Sequence, residues 1–322
     1  MRAPLAVYTD LDDGDDPTVG MELLRANGFE VTFAQSRDPD VIAAAAQDAE
    51  ALLVGYAPVD DALLERLPKL RVISLLSNGS DNVDVEAASR RGIWVATVGA
   101  VASEEVATHA WALTLALIRR LPFFMGCGVA HPWDARPAEA PRRLSELTVG
   151  ILGLGSIGRR YAEFASAAAR RVVAAERPGA VAVPGVDLAP YADVLAVSDV
   201  LGVFLPLTED TRGLLDADAY ARMPRGAHVV NVSRGAVVDT EALLAAVDSG
   251  HLAGAALDVF AQEPLPASHP LLGHPRVLTT PHVGFLSDAT DAEYVRRQAD
   301  AVVSWRTNGR PDRAINRAEV RS

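Results

Sequence analysis

The chain has 322 residues, 49% of them apolar and only 6% aromatic, so Ala, Val and Leu must fill a large interior of the kind found where helices pack on parallel sheet. It is about twice the length of a usual domain of roughly 150 residues, which points to two domains. A formal charge of -12 argues against a nucleic-acid partner, and a single cysteine, Cys127, excludes a disulfide framework or a multi-cysteine zinc site.

The first residues, MRAPLAVYTDLDD, lack the long apolar segment of a signal peptide. The longest apolar-looking run, VATHAWALTLALI at 106–118, is too short for a membrane span. The expectation is a cytoplasmic protein with no membrane partner. From Leu5 to Thr97 short β-branched runs alternate with amphipathic ones: LAVYTD, 17–27, FEVTFAQ, 39–47, ALLVGY, 60–67, RVISLL, 84–91 and GIWVAT. Pro17 at a helix start and Gly28 and Gly92 just past helix ends are the expected punctuation of a β-α-β-α series, hence of parallel sheet. The acidic cluster Asp10, Asp12, Asp13, Asp15 and Asp16 around Gly14 fails the register of a calcium loop, because Thr9 and Leu11 occupy ligand positions; it reads as a solvated loop.

Residues 103–120 form a helix with Ser103 as N-cap, Glu104 and Glu105 in the first turn, a stripe of Val106, Ala110, Leu113 and Leu117, and Pro122 preventing continuation. The stretch 122–141 reads as an irregular crossing. A second unit then opens with LTVGILGLGSIG as strand, helix and strand at 148–153, 156–169 and 171–175. It continues with strands at 199–205, 227–232, 253–259 and 276–280, helices at 216–223 and 239–249, and a last helix at 288–307.

GLGSIG, Gly153 to Gly158, sits at the end of an apolar strand and the start of a helix, where a dinucleotide fingerprint belongs. Gly153 permits the tight turn, Gly155 lets backbone approach a pyrophosphate, and Gly158 allows helix to pack on strand, while free amides at Ser156 and Ile157 open the helix. Eighteen residues on, Glu176 ends the next strand, where a carboxylate accepts hydrogen bonds from an adenosine ribose. This favours NAD, with NADP left open by Arg177, which could pair with a 2'-phosphate. Arg234, Glu263 and His282 follow in an order that suits hydride transfer to a 2-oxo acid. A guanidinium holds a carboxylate in a bidentate fork, and an imidazole paired to a carboxylate gives a proton to a carbonyl oxygen. The other histidines, His109, His131, His228, His251, His269 and His274, show no metal-ligand spacing. His131 and Trp133 read as core or surface and Cys127 as a small hydrophobe.

The motifs NVSRGAVVDTEAL at 231–243, GAALDVFAQEPLP at 254–266, TPHVGF at 280–285 and LPLTEDTRGLL at 205–215 resemble the catalytic and cofactor-side blocks of the D-isomer-specific 2-hydroxyacid dehydrogenase family. YAPVDDALLERLPKLRVIS at 56–74 and DNVDVEAASRRGIWVATV at 81–98 look nearest to its branch with the C-terminal binding proteins. The resemblance implies an α/β protein of two doubly wound parallel-sheet domains. Residues 1–100 and 286–322 would form a flavodoxin-like substrate domain, and 101–285 an inserted Rossmann NAD-binding domain. It further implies a homodimer and domain closure that excludes water.

By the same resemblance Arg234 binds the substrate carboxylate, His282 is general acid and base, and Glu263 biases its charge. Glutamate at that position disfavours formate oxidation, since the related formate dehydrogenases carry glutamine. Ser77, Asn78 and Gly79 would receive the substrate carboxylate on their amides. Val106, Leu205, Pro206, Thr211, Val232, Ser233 and Asp258 would line the cofactor, and Phe285 the substrate. Leu75 and Phe285 stand where the C-terminal binding proteins carry arginine and tryptophan, so the substrate side chain differs. The implied activity is reduction of a small 2-oxo acid such as glyoxylate or hydroxypyruvate. The alternative is a dinucleotide-sensing, corepressor-like binding module.

Overall fold

A computed structural model describes residues 3–12, 14, 16–130, 140–177 and 182–318, with backbone alone at 126–130. Asp13, Asp15, His131 and Trp133, and the side chain of Cys127, lie outside the described residues. The chain divides into two compact units, Met1–Val101 with Ser287–Ser322, and Ala102–Leu286.

In the first unit the alternating runs become β1 (Leu5–Tyr8), α1 (Thr18–Ala26), β2 (Glu30–Phe33), α2 (Pro39–Ala46), β3 (Ala51–Val54), α3 (Asp61–Glu65), β4 (Val72–Leu75), α4 (Val85–Arg90) and β5 (Trp94–Ala96). The strands pair in parallel in the order β2-β1-β3-β4-β5, the flavodoxin-like arrangement. Asp38, Asp60 and Asp84 each begin a helix by accepting a first-turn amide, which is why those helices start where they do. All of β3 and β4 is buried, as strands covered on both faces must be.

The chain's last helix, Thr290–Asn308, returns to complete this unit. Ala299 and Val302 pack with Leu24, Phe29 and Val72. Between them Gln298, 1% exposed, donates from Nε2 to the Val54 carbonyl at 3.1 Å and the Ser74 carbonyl at 3.0 Å. Ser74 Oγ in turn donates to the Gln298 carbonyl at 2.7 Å.

The acidic cluster is not a uniformly solvated loop. Asp10 is 5% exposed, and its carboxylate accepts from the amides of Gly55, Tyr56 and Ala57 and from Arg37 Nε. It is a buried strut that sets the turn after β3. Asp12 pairs with Arg37, and Asp16 accepts from the Thr18 amide at the start of α1.

The second unit comprises α5 (Ser103–Ile118), α6 (Leu121–Ala130), β6 (Thr148–Leu152), α7 (Ser156–Ser166), β7 (Arg171–Ala175), β8 (Val186–Ala189), α8 (Tyr191–Val197), β9 (Val200–Val203), α9 (Ala217–Arg222), β10 (Ala227–Asn231), α10 (Thr240–Asp248), β11 (Leu252–Leu257) and β12 (Val277–Thr279). Its seven parallel strands run β8-β7-β6-β9-β10-β11-β12. Chain order reverses between β6 and β9, so the crevice outside those strand ends is the place where a doubly wound sheet takes a ligand. Ala107, Ala110, Leu113 and Leu117 of α5 are buried against Val149, Tyr161 and Ala162, and Thr114 shares a 2.8 Å hydroxyl contact with Tyr161.

Three expectations change. The N-cap of α5 is Ala102, with Ser103 as the first helical residue and no side-chain cap. Part of the crossing at 122–141 is helical, because Pro122 falls in the first turn of α6, where a missing N–H costs nothing. The sheet also gains β8, an edge strand whose four residues, VDLA, are too short a run to show a period. Among the described residues no helix is long and apolar enough to cross a membrane.

Gln298→Leu keeps the volume but removes the Nε2 donor from the Val54 and Ser74 carbonyls, of which Val54 keeps the Leu76 amide, so urea unfolding should show a loss of about 1 kcal/mol relative to the unsubstituted chain. An unchanged midpoint would mean that the amide does not tie the last helix to the sheet.

Candidate active site

Every parallel strand of the second unit points its C-terminal end the same way, so the loops after β6, β7, β9, β10, β11 and β12 share one edge of the sheet. These loops carry Gly153–Gly158, Glu176, Leu205 with Pro206, Val232–Arg234, Asp258 and His282.

After β6 the chain turns at Gly153, whose φ of +98° lies in the left-handed region. A side chain at Gly158 would collide with the Gly153 carbonyl, so this glycine is imposed by the close approach of α7 to the turn. Gly155 differs: a Cβ there would meet no protein atom within 4 Å. Packing does not require glycine at that point, and the open cradle beside the first turn of α7 suits a phosphate. Gly155 is itself the N-cap and supplies no side-chain acceptor, so the leading amides at Ser156 and Ile157 are not capped by it. Glu176 and Arg177 are exposed just beyond β7. The donor set fits a dinucleotide.

The loop after β9 is shaped by Thr211, whose hydroxyl donates to the Pro206 carbonyl at 2.7 Å and accepts from the Thr208 amide at 2.8 Å. Leu205 packs on the core. After β10 the buried Asn231 folds the next loop: its Oδ1 accepts from the Ser233 amide at 3.0 Å and the Ser233 hydroxyl at 2.8 Å, while Nδ2 donates to the Arg234 carbonyl at 3.0 Å. Val232 turns its side chain into the core, so this position offers a ligand mainly backbone. Gly235 lies so close to the Phe260 and Ala261 backbone that no Cβ fits. That contact seats Arg234 beside the turn bearing Glu263.

Glu263 is divided between two partners. Oε1 accepts from the Phe260 amide at 2.8 Å, and Oε2 lies 2.7 Å from His282 Nδ1. Burial alone would raise the carboxyl, but hydrogen bonds from His282 and the Phe260 amide, and the charges of His282 and Arg234, hold it below its ordinary range. It therefore stays ionised at mildly acidic pH, and its pairing is lost only as pH falls through that lowered value. With Nδ1 turned to the carboxylate, the remaining ring nitrogen, Nε2, is the atom that can serve a substrate. The Phe285 ring stands edge-on to the imidazole at 6.4 Å.

His282 itself has a φ of +54°, unusual for a residue with a side chain. Asp258, 2% exposed, holds the bend. Its carbonyl accepts from the His282 amide at 2.8 Å, Oδ1 from the Val283 amide at 3.0 Å and Oδ2 from the Gly284 amide at 2.9 Å. The Thr280 hydroxyl adds a 2.6 Å bond to Oδ1. Burial pushes this carboxyl up, yet the donors, with His109 among them, bring it below the ordinary carboxylate range.

The second unit thus brings Arg234, Glu263 and His282 together. Val106 on α5 is half-buried against the same unit's core. Ser77, Asn78 and Gly79 belong to the other unit, just past the end of β4, where the Ser77 hydroxyl donates to the Gly79 carbonyl at 2.6 Å and the Ser77 carbonyl accepts from the Val98 amide at 3.2 Å. Leu75, at the end of β4, is fully buried in that unit's core. Asn231, Thr280 and His109 were not foreseen as parts of the site. The available signal was a polar residue at the end of an apolar strand, as in HVVN and VLTT. Among the described residues no group of three or more His, Cys, Asp or Glu could hold a metal.

The model of the D-isomer specific 2-hydroxyacid dehydrogenase NAD-binding domain matches residues 111–284. The glyoxylate/hydroxypyruvate reductase B of Escherichia fergusonii is 37% identical over 90% of this chain and 90% of its own length. The D-3-phosphoglycerate dehydrogenase of Mycobacterium tuberculosis is 39% identical over 79% of this chain, which spans only 49% of that relative. Among solved structures, an NADPH-dependent glyoxylate/hydroxypyruvate reductase from Sinorhizobium meliloti in complex with NADP and malonate superposes with a TM-score of 0.86 at 28% identity, over 99% of each chain. Sheet order, glycine turn and matched sequence together define an NAD(P)-binding oxidoreductase of two α/β domains. The chain belongs to the D-isomer-specific 2-hydroxyacid dehydrogenase family.

Glu263→Gln keeps the Phe260 contact but removes the carboxylate that holds His282 Nδ1 at 2.7 Å, so kcat for 2-oxo acid reduction should fall about 10- to 100-fold. A kcat equal to that of the unsubstituted enzyme would remove Glu263 from the proton transfer.

Proposed function

We propose that the protein reduces small 2-oxo acids of the glyoxylate and hydroxypyruvate class to the D-2-hydroxy acid with NADH as preferred cofactor. The observation that carries this reading is the 2.7 Å contact between His282 Nδ1 and Glu263 Oε2 beside Arg234. NADH, when bound at Gly153–Gly158, supplies the hydride.

Arg234 grips the substrate carboxylate and draws off charge from the developing alkoxide, and the amides at Ser77, Asn78 and Gly79 are the first unit's candidates for receiving a carboxylate. His282 delivers the Nε2 proton to the carbonyl oxygen, and Glu263 holds the ring and offsets its charge before transfer. In the reverse direction His282 takes the hydroxyl proton. Phe285 confines the substrate beside the imidazole. Val106, Leu205, Pro206, Thr211, Val232, Ser233 and Asp258 line the cofactor, and Glu176 accepts from its adenosine ribose. That carboxylate repels a 2'-phosphate, which supports NADH over NADPH despite the adjacent Arg177.

The substrate class is supported by the names of the Escherichia fergusonii and Sinorhizobium meliloti relatives and by a glutamate rather than a glutamine beside His282. Exposed Leu121, Phe123, Phe124 and Met125 on α6 support a homodimer, and the single cysteine suits a reducing cytoplasm.

Initial rates with NADH and NADPH against glyoxylate, hydroxypyruvate, pyruvate and branched 2-oxo acids test the proposal. Turnover is expected with glyoxylate or hydroxypyruvate, faster with NADH, giving D-glycerate from the latter. Arg234→Ala should lower kcat/KM by about 10²- to 10³-fold, the worth of a lost charge-stabilising donor. No turnover across the panel, or an L product, would overturn the reading.

A further inference from the structure

His109 lies on α5, far in sequence from the catalytic blocks, yet its Nε2 is 3.0 Å from Thr280 Oγ1 and 3.4 Å from Asp258 Oδ1. Hydrogen accounting fixes the direction of these contacts. Asp258 already accepts the Val283 amide on one oxygen and the Gly284 amide on the other, so it acts as an ionised acceptor. The Thr280 hydroxyl has one proton, and the 2.6 Å separation from Asp258 Oδ1 places that proton on the carboxylate side. Thr280 Oγ1 is then left with lone pairs only towards His109. The imidazole must therefore be the donor, and its hydrogen sits on Nε2.

From the geometry we infer that His109 is a positioning residue for His282: its Nε2–H, given to Thr280, keeps the Thr280 hydroxyl aimed at Asp258, whose carboxylate holds residues 280–284 in the bend that presents the catalytic imidazole. Two features make that bend need support. His282 occupies the left-handed region at φ +54°, and a Cβ at Gly284 would stand 2.9 Å from Asp258 Oδ2, so carboxylate and loop are already at close quarters. Turning Thr280 away would leave the Asp258 carboxylate with its two backbone donors and only the longer 3.4 Å approach of His109, and the loop free to relax towards ordinary φ. His109 blocks that turn from the helix side. It never touches the reacting atoms, so its effect falls on the rate of proton delivery rather than on the affinity for substrate or cofactor.

The kinetic consequence rests on the proposal that His282 is the proton donor, whereas the tautomer of His109 is a property of the protein alone, and the two are measured separately. In the full-length chain labelled with [15N]histidine, long-range proton–nitrogen spectra at neutral pH should show His109 as the Nε2–H tautomer. A predominantly Nδ1–H ring, or the averaged pattern of a free imidazole, would overturn the arrangement without any reference to activity. For turnover, His109→Leu should lower kcat for the best 2-oxo acid about tenfold, with the KM for NADH within about threefold of its usual value. His109→Gln, whose amide nitrogen can reach the same hydroxyl, should recover most of that loss. Thr280→Val should resemble His109→Leu, and the double variant should lose little more than the worse single one. A His109→Leu enzyme with unchanged kcat, no recovery by glutamine, or additive losses would contradict the positioning role. If the unsubstituted enzyme reduces no 2-oxo acid, the functional reading fails, and the nitrogen spectra still decide the contact.

Discussion

The buried carboxylate of Asp258 is the constraint on which the catalytic end of the second unit depends. It stands at the end of β11 and gathers the Thr280 hydroxyl, two consecutive loop amides and, through its carbonyl, the His282 amide. Four bonds to one residue convert a short loop after a three-residue strand into a fixed bend. An ionised group this enclosed is costly unless fully bonded, and the donors around it meet that requirement. The direction of His282 is thus a by-product of satisfying Asp258.

Glu263 plays the complementary part on the other side of the ring. Its own position is set by the Phe260 amide, and the Phe260 turn is in turn reached by Gly235, the residue after Arg234. Cation, carboxylate and imidazole are consequently placed by backbone contacts between neighbouring strand ends and do not depend on long side chains finding one another. Such placement loses little entropy on binding and keeps the imidazole oriented in advance. Asn231 repeats the device, tying Ser233 and the Arg234 carbonyl to the end of β10.

Much of this was legible in the sequence because strand-turn-helix repeats and glycine spacing are local patterns. The strands from Leu5 to Ala96 and the GLGSIG turn fall into that group, while the blocks that carry Arg234, Glu263 and His282 were marked by their resemblance to a known family. What escaped depended on distant partners or on weak local signal. His109 shows no ligand spacing in the sequence, and its partner Thr280 lies 171 residues away. Asp10 looked like one of a run of solvated acids, although only a buried position offers it the amides of residues 55–57. Pro122 reads as a breaker after one helix and equally well as the first turn of the next. The four residues of β8 are too few to show a strand period.

The account stands on proton delivery by His282 coupled to hydride arrival. Its most direct test is single-turnover oxidation of NADH by hydroxypyruvate, followed by absorbance, in the unsubstituted enzyme and in His282→Gln, with NADH binding measured in parallel by fluorescence. The account predicts normal NADH binding and an oxidation step slowed by about 10²- to 10⁴-fold. A His282→Gln enzyme that binds NADH and oxidises it at close to the unsubstituted rate would contradict it.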